Sequence, residues 1–277
     1  MTKEAERLKP TTFKTILLPL NDANFRSLCP NTETRALLAH LRAGSGDTPV
    51  ATLNNHPFVF GRHSFMHNGV VASFDQIKSE ICRAMSPAAY RHVLGGTDSE
   101  HLAGLYMTYL TATSPSTGAE AFDRPCPLQN MATALRRTIR TLLALQRRML
   151  GAAQAYRDPN SLNLVATDGV QLLACRFRNH PTQDPPSLYY STTAGVTLNR
   201  KYPDNAGGVE VPGRWSGAGW EGRVHGRHVV VASEPSTYRA EEWCLLGRNE
   251  CLLVGSDGGV EVRGVDVDGV EGERERR

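Results

Sequence analysis

Apolar residues alternate with period two in some stretches of the chain and recur every three to four residues in others, and this divides it into blocks. Residues 12–20 (TFKTILLPL) predict an extended apolar segment. Residues 35–42 (RALLAHLR) have a length at which strand and helix give the same pattern. In NNHPFVFGRHSFMHNG, residues 54–69, two short strands are predicted around Gly61-Arg62, and Asn68-Gly69 then punctuates the chain. Ser73 is placed to cap a helix carrying Ile77, Ile81 and Met85 on one face. A second helix starts near Thr97 and runs to about Leu110, with Thr97 and Glu100 spaced as a capping box. Residues 113–127, rich in Pro, Ser, Thr and Gly, predict a loop. A proline-free helix over about 128–155 follows, with Leu135, Ile139, Leu142, Leu143 and Leu145 as its apolar residues.

The second half is β-type. Strands are predicted at 162–167, 170–177, 187–192, 227–232 and 250–254, with Asp168-Gly169 turning between the first two. Residues 199–226, rich in Gly and Pro, read as an irregular insertion. From 256 to 277 the Gly, Asp and Val repeats and the closing ERERR predict a weakly ordered tail. A helical block between two β-blocks predicts an α+β fold, sheets covered by helices. The domain is expected to span 1–255, with 1–12 as a polar leader.

Composition narrows the function classes. A net charge of +3 with no basic stripe excludes nucleic acid as an expected partner. The pairs Arg136-Arg137 and Arg147-Arg148 read as a solvated helix face. Six cysteines without a CxxC pair predict reduced thiols and a cytoplasmic protein. No apolar run is long enough for a membrane span. The nine histidines show no HExxH, HxH or paired Cys/His spacing, so no metal and no cofactor is expected. His63 and His67 lie four apart on one side of a strand, without a reason to converge. Neither a GxSxG elbow nor a phosphate loop occurs.

The candidate chemistry lies in HLRAGSGDTPVATLNNHPF, FMHNG and GGTDSE. Each alone reads as structure: a surface arginine, a turn, a helix start. Together they supply what cleavage of a glutamine amide needs besides a nucleophile. Arg42 can fork onto an α-carboxylate. Asp98, at a helix start, can hold an α-ammonium. The Asn68 side-chain N–H and the Gly69 backbone N–H can stabilise an oxyanion, glycine allowing the close approach.

In order and spacing, HLRA, NNHPF, MHNG and GTDSE resemble the glutaminase domain of class-II amidotransferases. LVATDG (164–169), SLYYST (187–192) and VVVASEPSTYRAEEW (229–243) resemble the fungal and bacterial branch that includes the amidotransferase-like subunit of the fungal glutathione-degradation complex. The resemblance runs from about Phe13 to about Val254. It implies an Ntn-hydrolase-type four-layer sandwich, two stacked and mainly antiparallel sheets between helices. It implies that Arg42 and Asp98 bind the glutamyl end and that Asn68 and Gly69 form the oxyanion hole, with His56 on a loop lining the site. It implies glutamine or a γ-glutamyl compound such as glutathione as substrate, and a peptidase subunit as partner.

The family's nucleophile is a cysteine exposed at residue one by methionine removal, its own α-amine serving as base. Here Thr2 follows Met1, and KEAERLKP after it is too polar to form the apolar strand that buries the nucleophile. The expectation is therefore a truncated chain that hydrolyses nothing by itself, its N-terminal part missing through a start assigned downstream of the true one. The alternative is a non-catalytic glutamyl-binding or scaffold subunit, in which TFKTILLPL would have to fill the missing strand's place.

Overall fold

The computed structural model describes residues 9–42, 49–112, 114, 118–194 and 228–267. Its strands are β1 (Phe58–Phe60), β2 (His63–Val70), β3 (Ser161–Thr167), β4 (Leu172–Arg178), β5 (Tyr189–Ser191), β6 (Val230–Ala232), β7 (Cys244–Leu245), β8 (Glu250–Val254) and β9 (Val260–Gly264). Its helices are α1 (Ala23–Leu28), α2 (Phe74–Ala84), α3 (Pro87–Tyr90), α4 (Asp98–Thr111), α5 (Leu128–Leu150) and α6 (Ala152–Arg157). The strands form a larger sheet ordered β1-β2-β3-β4-β8-β9 and a smaller one ordered β6-β5-β7. Every pairing is antiparallel.

Register assigns the two faces of the large sheet. Phe65, Ala166, Leu173 and Leu253 lie in one row across it, and His67, Leu164, Cys175 and Cys251 in the next row on that face. These apolar residues join Ile77 and Ile81 of α2, Leu102, Leu105 and Tyr106 of α4, and Ile139 and Leu142 of α5 in one buried core. The opposite face carries Ala174, Leu252 and Val254, which pack with Leu188 and Leu246 beside the small sheet. The described residues thus make a helix layer, a six-stranded sheet and a three-stranded sheet stacked in that order. The α+β expectation of stacked antiparallel sheets against helices holds. One polar row, Asn68, Asn163, Arg176 and Glu250, crosses the face toward the small sheet near one end.

Several local expectations change. Residues 35–42 are neither strand nor helix but irregular chain. Segment 12–20 joins neither sheet; Ile16, Leu18 and Leu20 are exposed and a short 3-10 turn closes it. Its apolar pattern lacked a pairing partner, so it does not fill a strand's place. Ser73 precedes α2 in the left-handed region (φ 52°) and makes no side-chain cap. Thr97 does cap α4, accepting from Glu100 N at 3.1 Å. The Glu100 carboxylate does not return to Thr97, as a capping box requires. It accepts from Leu94 N (2.9 Å) and Gly95 N (2.6 Å) instead, tightening the turn that delivers the helix.

The long helix ends at Leu150, where Gly151 takes φ 80° and starts the separate α6. Strand β9 pairs fully with β8, so 260–264 are sheet and not the weakly ordered tail expected. Gly255 and Gly259 close that hairpin, and the exposed Glu261 and Arg263 hid the strand's alternation. The insertion at 199–226 and residues 268–277 lie outside the described residues.

Candidate active site

The end of β2 is where the candidate residues gather. His67 points to the helix side of the sheet and Asn68 to the small-sheet side. Gly69 follows at φ 153°, and a Cβ built there would lie 1.8 Å from the Ser161 carbonyl oxygen and 2.9 Å from His67 Nε2. No side chain fits such an approach, so glycine is required by packing as well as by conformation. Beyond the strand, Val71 and Ala72 are pinned. Ala72 N donates to Asn160 Oδ1 (2.9 Å), and Gln146 Nε2 of α5 donates to Ala72 O and to Asn160 Oδ1, both at 2.8 Å.

Asp98 is the first residue of α4 and half-buried. Its Oδ2 accepts from Val71 N at 2.8 Å and its Oδ1 from Ser99 N at 2.7 Å. The structure therefore joins Asp98 to the Asn68-Gly69 strand end through the backbone of Val71. The α4 N-terminus also favours negative charge at this place. Asn68 itself is exposed, and one of its side-chain N–H groups donates to Ser233 Oγ at 3.3 Å, just beyond β6. Its cross-strand neighbour Asn163 donates to Pro186 O (3.2 Å) and Ser187 O (2.8 Å). Arg176, buried next in the row, donates to the carbonyls of Pro185, Pro186 and Leu246. The polar row thus ties the 185–187 loop and β7 to the large sheet on the Asn68 side.

His56 precedes β1 and lies within electrostatic reach of His67. Its ring lies 4.1 Å from that of His40 and 4.7 Å from that of Phe58. It is 8% exposed, and neither ring nitrogen has a hydrogen-bond partner. Burial pulls its pKa down to about 2, helped by the electrostatic effect of the neighbouring His40, His67, Arg42 and Lys14 side chains. His40 is held low by burial first, then by His67 and Arg42. The half-buried Arg42 therefore stands within electrostatic reach of both rings. Lys14 sits 5.4 Å from the Phe58 ring centroid, with burial lowering its pKa against the pull of Glu100. Donors and cations collect on this flank of β2; the carboxylate Asp98 stands at its end.

The structure links Asp98 to the Asn68-Gly69 strand end through Val71 N, and sets Arg42 within electrostatic reach of His40 and His56. Asn68 faces away from that flank, toward Ser233. Sequence reasoning missed His67, Ser99 and Ser233. The first two were hidden inside MHNG and TDSE, where they read as strand and helix-start residues. Ser233 becomes a neighbour of Asn68 only when the small sheet stacks on the large one.

The six cysteines all carry unbridged thiols. Cys175 and Cys251 face each other across β4 and β8, their pKa values raised by burial. Among the described residues no His, Cys, Asp and Glu group could hold a metal ion, and no helix is long and apolar enough to cross a membrane. His63 binds the Arg124 carbonyl (3.0 Å) and His67 binds Ser99, so the two do not converge.

Sheets stacked in this way, with the site residues at the end of β2, give the fold of class-II glutamine amidotransferase domains, as the motif order implied. A glutamine aminotransferase class-II domain protein from Silicibacter pomeroyi superposes with a TM-score of 0.60, at 23% identity over 93% of this chain and 86% of that one. In sequence the chain is similar to the probable glutamine amidotransferase DUG3 of Saccharomyces cerevisiae, 25% identical over 248 residues. That match covers 88% of this chain and 64% of the yeast protein's length. No family model matches the chain.

Proposed function

We propose that the end of β2 receives the glutamyl head group of glutamine or of a γ-glutamyl compound such as glutathione. The observation that carries this reading is the fixed Asp98 carboxylate, held by Val71 N–H and Ser99 N–H directly behind Asn68-Gly69. Asp98 takes the ligand's α-ammonium. Arg42 takes its α-carboxylate, the guanidinium fork matching the two oxygens. His56 and His40, their rings 4.1 Å apart and within electrostatic reach of Arg42, line the site beside it. During amide cleavage, negative charge develops on the carbonyl oxygen. Gly69 N–H and an Asn68 side-chain N–H released from Ser233 then donate to it.

These residues bind and stabilise; none is a nucleophile. Cys126, Cys175 and Cys251 are core thiols. The reaction assigned to the site is hydrolysis of the glutamyl amide, with the peptidase-partnered breakdown of glutathione in the cytoplasm as its setting. The site is expected to bind glutamine through Arg42 and Asp98. A second reading is a non-catalytic glutamyl-binding or scaffold subunit.

Calorimetric titration with glutamine and with a γ-glutamyl peptide, alongside a glutamate-release assay, tests both. Arg42→Ala is expected to weaken glutamine binding by roughly ten- to a hundredfold, the scale of hydrogen bonds to charged groups. Glutamate release by the unmodified polypeptide, abolished by Arg42→Ala, would overturn the non-catalytic reading. Binding that ignores Arg42→Ala and Asp98→Asn alike would remove the glutamyl site itself.

A further inference from the structure

Behind Asp98 lies a chain of side-chain contacts that the proposed reaction does not use. His67 is 2% exposed, and its Nε2 lies 3.1 Å from the Ser161 carbonyl oxygen. Its Nδ1 lies 2.9 Å from Ser99 Oγ. Ser99 is 6% exposed, and its Oγ is also 3.2 Å from Asp98 Oδ1. A carbonyl oxygen only accepts, so Nε2 carries the imidazole proton. Burial keeps the ring neutral, and Nδ1 is therefore an acceptor. The Ser99 hydroxyl owns one proton and faces two acceptors, His67 Nδ1 and Asp98 Oδ1.

We infer that His67 is a positioning residue: it gives the Ser99 proton an acceptor other than Asp98, so that the carboxylate is left for a ligand ammonium. When an ammonium reaches Asp98, the hydroxyl turns its proton to Nδ1 at the shorter of the two distances. Its lone pairs then stand beside Oδ1 with no proton between the two oxygens, an electron-rich edge suited to a cation. Take the imidazole away and the hydroxyl has only Asp98 to donate to. The charge-assisted bond that results competes with the ammonium for the same oxygen. The ligand class is therefore a glutamyl compound with an unblocked, protonated α-amine, and acylated or des-amino analogues are selected against. This rests on the proposed role of Asp98.

The test reads amine preference, which a merely structural role of His67 would not move. The ratio of Kd for glutaramate, glutamine without its amino group, to Kd for glutamine is measured on the full chain. Where turnover occurs, the ratio of kcat/KM replaces it. The wild-type chain is expected to prefer glutamine, and Asp98→Asn to erase that preference. If either fails, the role of Asp98 falls, and this inference with it. If both hold, His67→Phe is expected to lower the preference roughly fivefold, the scale of one competing hydrogen bond. Ser99→Ala is expected to keep the preference, because it removes the competing proton. The double variant, His67→Phe with Ser99→Ala, is expected to regain it. An unchanged ratio in His67→Phe, or no recovery in the double variant, overturns the positioning role while leaving Asp98 as the ammonium site. Should His67→Phe fail to fold, nitrogen NMR of the wild-type imidazole decides. A neutral ring protonated at Nε2, with an Nδ1 resonance that moves as glutamine binds, supports the inference. Protonation at Nδ1, or an unmoved resonance, overturns it.

Discussion

Gly69 shows how closely single residues define this site. Its missing Cβ would overlap the Ser161 carbonyl oxygen at 1.8 Å, and the strand cannot retreat without breaking its register with β3. Gly69→Ala is expected to destabilise the chain by about 2–3 kcal/mol, the range of a strained backbone position combined with a clash. A fall in the urea midpoint at unchanged m-value would register it, and an unchanged midpoint would contradict the close approach. The motif residues were legible only in combination: an Asn-Gly at a strand end together with an Asp as first residue of a capped helix. What the motif did not reveal was the direction of each side chain. Asn68 and Gly69 are consecutive, and the pleat sends Asn68 toward Ser233 while His67 goes to Ser99.

At the scale of elements, α5 does more than cover the sheet. Its Gln146, 1% exposed, holds the Ala72 carbonyl and Asn160, and so positions the Val71 N–H that grips Asp98. Gln146→Leu keeps the volume but leaves Ala72 O and the Asn160 amide without their partner. The expected cost is about 2–3 kcal/mol, each unsatisfied buried group costing about 1–3 kcal/mol. Glutamine affinity is expected to drop with it; Gln146→Glu, which turns an acceptor oxygen on Ala72 O and Asn160 Oδ1, is expected to lose at least as much. Thermal unfolding and titration of both variants check this, and an unchanged Tm in either would refute the hydrogen-bond account.

Helices α2 and α5 were legible in the sequence from one apolar face, α4 from its Thr97 start signal, and strands β3, β4 and β8 from short apolar runs. The 35–42 segment and β9 were not. The first has apolar residues that the fold leaves exposed, Leu37 at 75% and Leu41 at 81%. The second is an edge strand whose residues from Glu261 to Gly264 are exposed, so burial imposes little pattern on it.

For the whole molecule, burial of neutral histidines links stability to pH. His56 is pulled down to about 2, and His40, His63, His67 and His101 are also held below their ordinary value, in each case mainly by burial. In the unfolded chain these rings protonate near pH 6.5. Between that value and their folded pKa values the unfolded state binds more protons, so acid favours unfolding. Stability is therefore full above about pH 6.5 and falls as the pH drops, each still-neutral ring adding about 1.4 kcal/mol per pH unit. Urea midpoints between about pH 7 and about 5, above the main carboxylate range, are expected to fall steadily. A flat profile would show that these rings are solvated.

Sequence alone determined the helix block between two β-blocks, the unbridged thiols and the set of residue types proposed to hold a glutamyl group. Those follow from local periodicity and from the chemistry each side chain carries wherever it sits. Tertiary structure decided which of them meet. Only strand register and sheet stacking turned His67 under Gly69, set Ser99 between His67 and Asp98, and brought Ser233 to Asn68. The His67–Ser99 and Asn68–Ser233 contacts join residues 32 and 165 positions apart, and no local pattern encodes a distance of that kind.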